Sequence, residues 1–163
     1  MDCTFDQLSQ EHENDVMDIF NYYTENTYYA YPEGRLPDAF FSMFMGLAKA
    51  FPAYAIKYGS DIIGFCLLRP YNPVSAFKRT AEVSYFIKKE FTGKGFGSMA
   101  LQRLEGEAKK MGIKVLLADI SSENRDSIKF HLKNGFSRCG LFHNAGFKFG
   151  KHFDVVWMEK ELG

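Results

Sequence analysis

FTGKGFGS, residues 91–98, places three glycines in five positions, with Lys94 between the first two. Upstream lies AEVSYFIKK (81–89), where Val83, Tyr85 and Ile87 alternate and predict a strand. Downstream, Met99, Leu101, Leu104, Ala108 and Met111 follow the spacing of an amphipathic helix closed by Gly112. Glycines between a strand and a helix can serve a tight turn, a mobile lid or an anion cradle. A helix that begins at once favours the cradle over the lid. Its first N–H groups lack intrahelical partners, and its dipole makes that end positive. Gly93, Gly95 and Gly97 allow backbone amides to approach phosphate oxygens, with Lys94 adding charge at the rim. On the loop alone the plain turn stays open. The stretch lacks the end of G-x-x-x-x-G-K-[ST] and the spacing of G-x-G-x-x-G, which argues against a P-loop or a dinucleotide fold.

The order of elements spreads outward from this loop. A short strand is expected near Cys3 to Phe5, then a helix carrying Val16, Ile19, Phe20 and Tyr23. The aromatic, polar segment YYTENTYYAYPEG (22–34) reads as a loop with something to contact, and a second helix follows Pro37. Ala53–Lys57 and Ile62–Leu68 form a hairpin around YGSD, and RPYNPVSAFK (69–78) is a loop. KVLLADI (114–120) suits a buried strand, and Asn124 caps a helix through Ile128, His131 and Leu132 that ends at Gly135. Strands at 136–142 and 153–162 finish the chain, joined by HNAGFKFGKH (143–152). The result is a mixed α/β domain over residues 1–163.

The 163 residues suffice for one packed core. Lys plus Arg and Asp plus Glu balance at 20 each, so no broad basic surface is available to hold nucleic acid. Cys3, Cys66 and Cys139 are isolated, and the four histidines lack ligand spacing, which argues against a disulfide framework and a metal site. The acidic start MDCTFDQLSQEHEND is unlike a secretory signal, and no apolar run reaches the roughly 20 residues of a membrane span. The expected setting is soluble and cytoplasmic.

With its downstream partners, the loop resembles the acetyl-CoA-binding core of the GNAT N-acetyltransferase superfamily. That core has a [Q/R]-x-x-G-x-[G/A] loop, a helix, a strand, N-x-x-[AS], an aromatic and then GF. Here T-G-K-G-F-G supplies Gly95 and Gly97, N-R-D-S supplies Asn124 and Ser127, and K-N-G-F closes the pattern over about 50 residues. AEVSYFI, HLKNGF and AGFKFGKHFDVVWMEKEL further resemble the phosphinothricin acetyltransferase branch. The resemblance implies a three-layer α/β fold with a central mixed, splayed sheet flanked by helices. It implies transfer from acetyl-CoA to the primary amine of a small molecule, such as an amino acid or an analogue of phosphinothricin or methionine sulfoximine. A homodimer is a further implication. A non-catalytic acyl-CoA-binding module and a protein or peptide N-acetyltransferase are the alternatives.

Carried over residue by residue, the resemblance makes Glu82 the general base, where an ordinary strand glutamate is the bland reading. His131 falls at a proton-transfer position, although a satisfied buried histidine is commoner. The backbone of Tyr85, Phe86 and Ile87 would hydrogen-bond the pantetheine arm and the thioester oxygen. Gly93, Lys94, Gly95, Phe96, Gly97 and Ser98 would hold the pyrophosphate, with Asn124 and Ser127 beside them. Tyr28, Tyr31, Tyr71, Asn72 and Lys78 are the substrate-side candidates. Two departures stand out. Thr92 replaces the usual Gln or Arg, and Tyr71 and Asn72 stand where the branch has a Trp-Arg-like pair, with Arg69, Lys78 and Arg79 displaced nearby.

Overall fold

A computed structural model describes residues 2–163. Seven strands form one sheet in the order β1-β2-β3-β4-β5-β7-β6, where β1 is Cys3–Gln7, β2 Ala53–Tyr58, β3 Asp61–Pro70, β4 Thr80–Ile87, β5 Val115–Ser121, β6 Ser137–Lys148 and β7 Lys151–Glu161. The helices are α1 (Glu13–Asn26), α2 (Phe41–Ala48), α3 (Phe96–Lys110) and α4 (Arg125–Lys133).

Two apolar layers sandwich the sheet. On one face Val16, Phe20 and Tyr23 of α1 and Phe41 and Phe44 of α2 pack on Ala53, Ala55, Phe65 and Leu67. On the other, Ala100, Leu101 and Leu104 of α3 and Ile128 of α4 pack on Cys66, Leu68, Val83, Leu116 and Ala118. The alternation along β3 explains this division: Phe65 and Leu67 point one way, Cys66 and Leu68 the other. The buried stripe of α3 runs through Phe96, Ala100, Leu101, Leu104 and Ala108. Met99 and Met111, expected on that stripe, are exposed. The helix starts at Phe96, three residues before Met99, and that start sets which face turns inward.

All strand pairs are antiparallel except β4–β5. That parallel ladder holds only Thr80–Glu82 against Val115–Leu117, and beyond Glu82 the two strands part. The sheet is therefore splayed at its centre. The tail differs from expectation. HNAGFKFGKH is mostly strand, and β6 returns into β7 through the two residues Phe149 and Gly150, both at positive φ (52° and 73°) as a two-residue hairpin requires.

Candidate active site

A cavity of about 930 Å³ opens where β4 leaves β5, running from the glycine loop to Arg69 and Asp119. Its wall includes Thr92, Gly93, Gly95, Gly97 and Ser98 at one end and Tyr31, Phe65, Arg69 and Asp119 at the other.

At the loop end, Gly93 and Gly95 lie at φ 72° and 92°, in the left-handed region. Gly97 serves a different need, because a Cβ there would come within 3.3 Å of the Phe130 ring. The first bond into α3 runs from Met99 N to Gly95 O at 3.2 Å, leaving the amides of Phe96, Gly97 and Ser98 in the uncapped first turn. Thr92 Oγ1 donates to Lys89 O at 2.7 Å, so its side chain is spent inside the loop. Lys94 lies over the Phe91 ring at 5.7 Å and Phe96 is buried against Phe91 and Tyr58. Neither side chain joins the cavity wall. A pyrophosphate fits this end as a ligand of backbone N–H groups at a helix N-terminus. Gly95→Ala tests the strained turn cleanly, since nothing lies within 4 Å of the added Cβ. It is expected to cost about 1–2 kcal/mol of stability in urea unfolding, from backbone conformation alone.

Midway, the register of β3 and β4 decides which backbone groups face the gap. Lys88 N donates to Ile63 O and Leu68 N donates to Pro52 O. By alternation, Phe86 is bonded to β3 and the backbone groups of Tyr85 and Ile87 turn toward β5. Phe86 thus reaches the cavity with its ring, contrary to the backbone contact expected of it. The Ile87 carbonyl accepts the Tyr23 hydroxyl, leaving the Ile87 N–H and both Tyr85 groups on the open side.

Tyr85 also does more than pack. Its hydroxyl is hydrogen-bonded to His131 Nε2. On the far side of the ring, His131 Nδ1–H donates to Ser127 O at 2.7 Å. Those partners fix one tautomer, with Nε2 as acceptor. Burial lowers the His131 pKa, opposed by the Ser127 carbonyl, so the ring is neutral. Asn124 caps α4, its Oδ1 accepting Ser127 N at 3.3 Å, and both residues line the cavity.

At the far end three strands meet. Arg69 Nη2 lies 3.3 Å from Glu82 Oε1 and 3.5 Å from Asp119 Oδ1. Arg69 ends β3, Glu82 opens the splay on β4 and Asp119 lies across the gap on β5. Burial raises the pKa of both carboxyls and Arg69 opposes the rise; for Glu82 the charge of Asp119 adds to it. Arg69 and Asp119 form the wall, and Glu82 stands behind them with 13% of its side chain exposed.

Of the five substrate-side candidates, only Tyr31 lines the cavity. Tyr28 turns instead to the β6–β7 hairpin, its ring 5.5 Å from Phe149 and 5.8 Å from Phe153. Tyr71 packs on Phe77 in the exposed 71–79 loop, Asn72 Oδ1 accepts Val74 N in a local turn, and Lys78 is exposed. The loop turns outward after Pro70, which takes these three away. Arg69 and Asp119 are the residues missed as a pair. Asp119 did leave a signal, as a lone charge inside the apolar run LLADI. Among the described residues no group of three or more His, Cys, Asp or Glu is placed to hold a metal, and no helix is long and apolar enough to cross a membrane.

The sequence model of the Acetyltransferase (GNAT) family matches residues 16–136. An L-methionine sulfoximine/L-methionine sulfone acetyltransferase of Pseudomonas paraeruginosa is 33% identical over 119 residues, 71% of this chain and 69% of the relative. A phosphinothricin acetyltransferase from Sinorhizobium meliloti, solved in complex with acetyl-CoA, superposes with a TM-score of 0.93 at 24% identity, covering 100% of this chain and 90% of that one. A ribosomal-protein-alanine N-acetyltransferase from Brucella melitensis superposes at 0.91 with 25% identity, covering 98% and 99%.

Proposed function

Because the chain belongs to the acetyltransferase (GNAT) family and is an acetyl-CoA-dependent N-acetyltransferase, we propose that it acetylates the primary amine of a small molecule by direct attack, with Glu82 as general base. The observation that carries this reading is a single cavity joining the glycine loop to the Glu82–Arg69–Asp119 cluster. Acetyl-CoA supplies a thioester whose carbonyl carbon accepts the amine.

Each protein group then has a task. First-turn amides of Phe96, Gly97 and Ser98, with Gly93, Lys94 and Gly95 around them, hold the pyrophosphate. Asn124 and Ser127 line the same end, and the open backbone groups of Tyr85 and Ile87 take the pantetheine arm. Glu82 removes the ammonium proton through a water in the wall, since it stands one side chain back. Neutral His131 has no proton on Nε2 to give and accepts the Tyr85 O–H, so this pair positions the tyrosine beside the pantetheine arm, and the departing thiolate takes its proton from solvent. Amino acids and the sulfoximine named for the Pseudomonas relative are one acceptor class to try.

The test is to incubate the protein with acetyl-CoA and a panel of primary amines while following free thiol. Release above background with at least one amine is expected. Binding of acetyl-CoA with no amine-dependent release would leave an acyl-CoA-binding module instead.

A further inference from the structure

We propose that Lys148 is a positioning residue for the acceptor, holding residues 29–31 in the cavity wall from a place outside that wall. This rests on the transferase reading above, in which the amine reacts at the Glu82–Arg69–Asp119 end of the cavity.

A buried lysine needs a physical reason. Lys148 is 1% exposed, and taking its charge out of water is costly unless a polar partner compensates. The partner is the Ala30 carbonyl, which accepts from Nζ at 2.7 Å across 118 residues of sequence. The Phe149 ring lies 4.8 Å from the same Nζ. Lys148 closes β6 and pairs with Lys151 across the two-residue turn. Strand pairing makes no use of the side chain, so the ammonium serves the other segment it touches.

That segment has few other ties. Residues 27–36 leave α1 and return beside it without forming helix or strand. At one end Thr27 N donates to Tyr23 O at 3.2 Å, and Tyr29 N donates to Thr27 Oγ1 at 3.0 Å. At the other, buried Asn21 of α1 grips Leu36 with two 2.9 Å bonds: Oδ1 accepts Leu36 N, and Nδ2 donates to Leu36 O. Among the described residues, the bond from Lys148 is the one hydrogen bond that reaches the backbone of residues 30–35. Tyr29, Ala30, Tyr31 and Pro32 line the cavity with Arg69 and Asp119, and Lys148 does not. The Tyr31 ring stacks on Phe153 at 5.9 Å, a contact without direction, so the directional tie at Ala30 sets where the wall stands. Without that tie, only the fraction of molecules with the wall in place binds the acceptor. The loss then falls on KM, and the bound complex reacts as before.

Lys148→Met keeps the apolar stem and removes the donor. Acceptor KM is expected to rise about tenfold, with kcat within about twofold and acetyl-CoA affinity by calorimetry unchanged. The acceptor probe is L-methionine sulfoximine, or the fastest amine of the panel if the parent does not turn that one over. Chymotrypsin gives a readout apart from activity. Cleavage of the Tyr29–Ala30 bond is expected to run about tenfold faster in the variant, with cuts elsewhere at the parent's rate. Lys148→Arg, which keeps donors within reach of the same carbonyl, is expected to bring KM back to within about threefold of the parent. If Lys148→Met does not fold, Lys148→Gln, whose amide is one bond shorter, takes its place with the same expectations. An unchanged acceptor KM, or cleavage that speeds up equally at every site, makes Lys148 a purely structural residue and overturns the inference while sparing the transferase reading. No thiol release by the parent with any panel amine overturns both.

Discussion

Glutamine in place of Glu82 lowers kcat by about 10²-fold or more and leaves acetyl-CoA binding intact. The carboxylate sits at the far end of the cavity from the glycine loop, so donor contacts are untouched. The amide keeps an oxygen for Arg69 Nη2, now 3.3 Å away, and loses only the capacity to take a proton. The pH profile adds a second readout. Burial first, then the charge of Asp119, raises the Glu82 pKa above its ordinary 4.5, against the pull of Arg69. A base works only when ionised, so kcat/KM of the parent falls as pH drops through that raised value, and the glutamine variant lacks this limb. The sign for stability is opposite. An acid with a raised folded pKa stabilises the fold below its unfolded pKa and loses that contribution as pH rises through the folded one. Removing its charge therefore costs no stability at pH 7, and slow turnover in the variant is not unfolding. Steady-state kinetics from pH 5 to 9 and calorimetric titration of acetyl-CoA provide the check; an unchanged rate removes Glu82 as base.

Phe65→Ala is expected to cost about 3–5 kcal/mol, a large part of the 5–15 kcal/mol typical of a domain. Phe65 is 0% exposed at the centre of β3. Its ring meets Phe20, Phe44 and Phe86 at centroid distances of 6.3, 5.3 and 5.6 Å. No neighbour can fill the space, because α1, α2 and the sheet all contribute a ring to it. The midpoint of urea unfolding should shift with an unchanged slope. Phe65 also forms part of the cavity wall, so acceptor KM should rise in the same variant. A loss under 1 kcal/mol would mean that this aromatic layer is loosely packed.

Local chemistry made the glycine-loop end of the cavity legible. Glycine spacing, the Asn124 cap and the periodicity after it are each encoded within a few residues, and each appears in the fold. Arg69, Glu82 and Asp119 come from three strands, and their meeting depends on the β3–β4 and β4–β5 registers, which no local pattern states. The Tyr85–His131 bond spans 46 residues and was hidden for the same reason. Counting positions back from Glu82 to Tyr71 and Asn72 failed because the chain turns into solvent after Pro70, where sequence proximity no longer means spatial proximity. The long tail hairpin was masked by glycines: Gly146 lies within β6, packed close to the Phe153 ring, and only Gly150 marks the turn.

The last hairpin has a role that its place at the chain's end conceals. Tyr31 stacks on Phe153, Tyr28 packs between Phe149 and Phe153, and buried Lys148 ties down the Ala30 carbonyl. The segment 29–31 of the cavity wall thus leans on residues 146–153, while the glycine-loop end rests on β4, α3 and α4. The family match stops at residue 136, ahead of that hairpin. Residues 146–153 thus brace that segment from outside the cavity wall. A change in the C-terminal hairpin reaches the cavity only through the residues that lean on it.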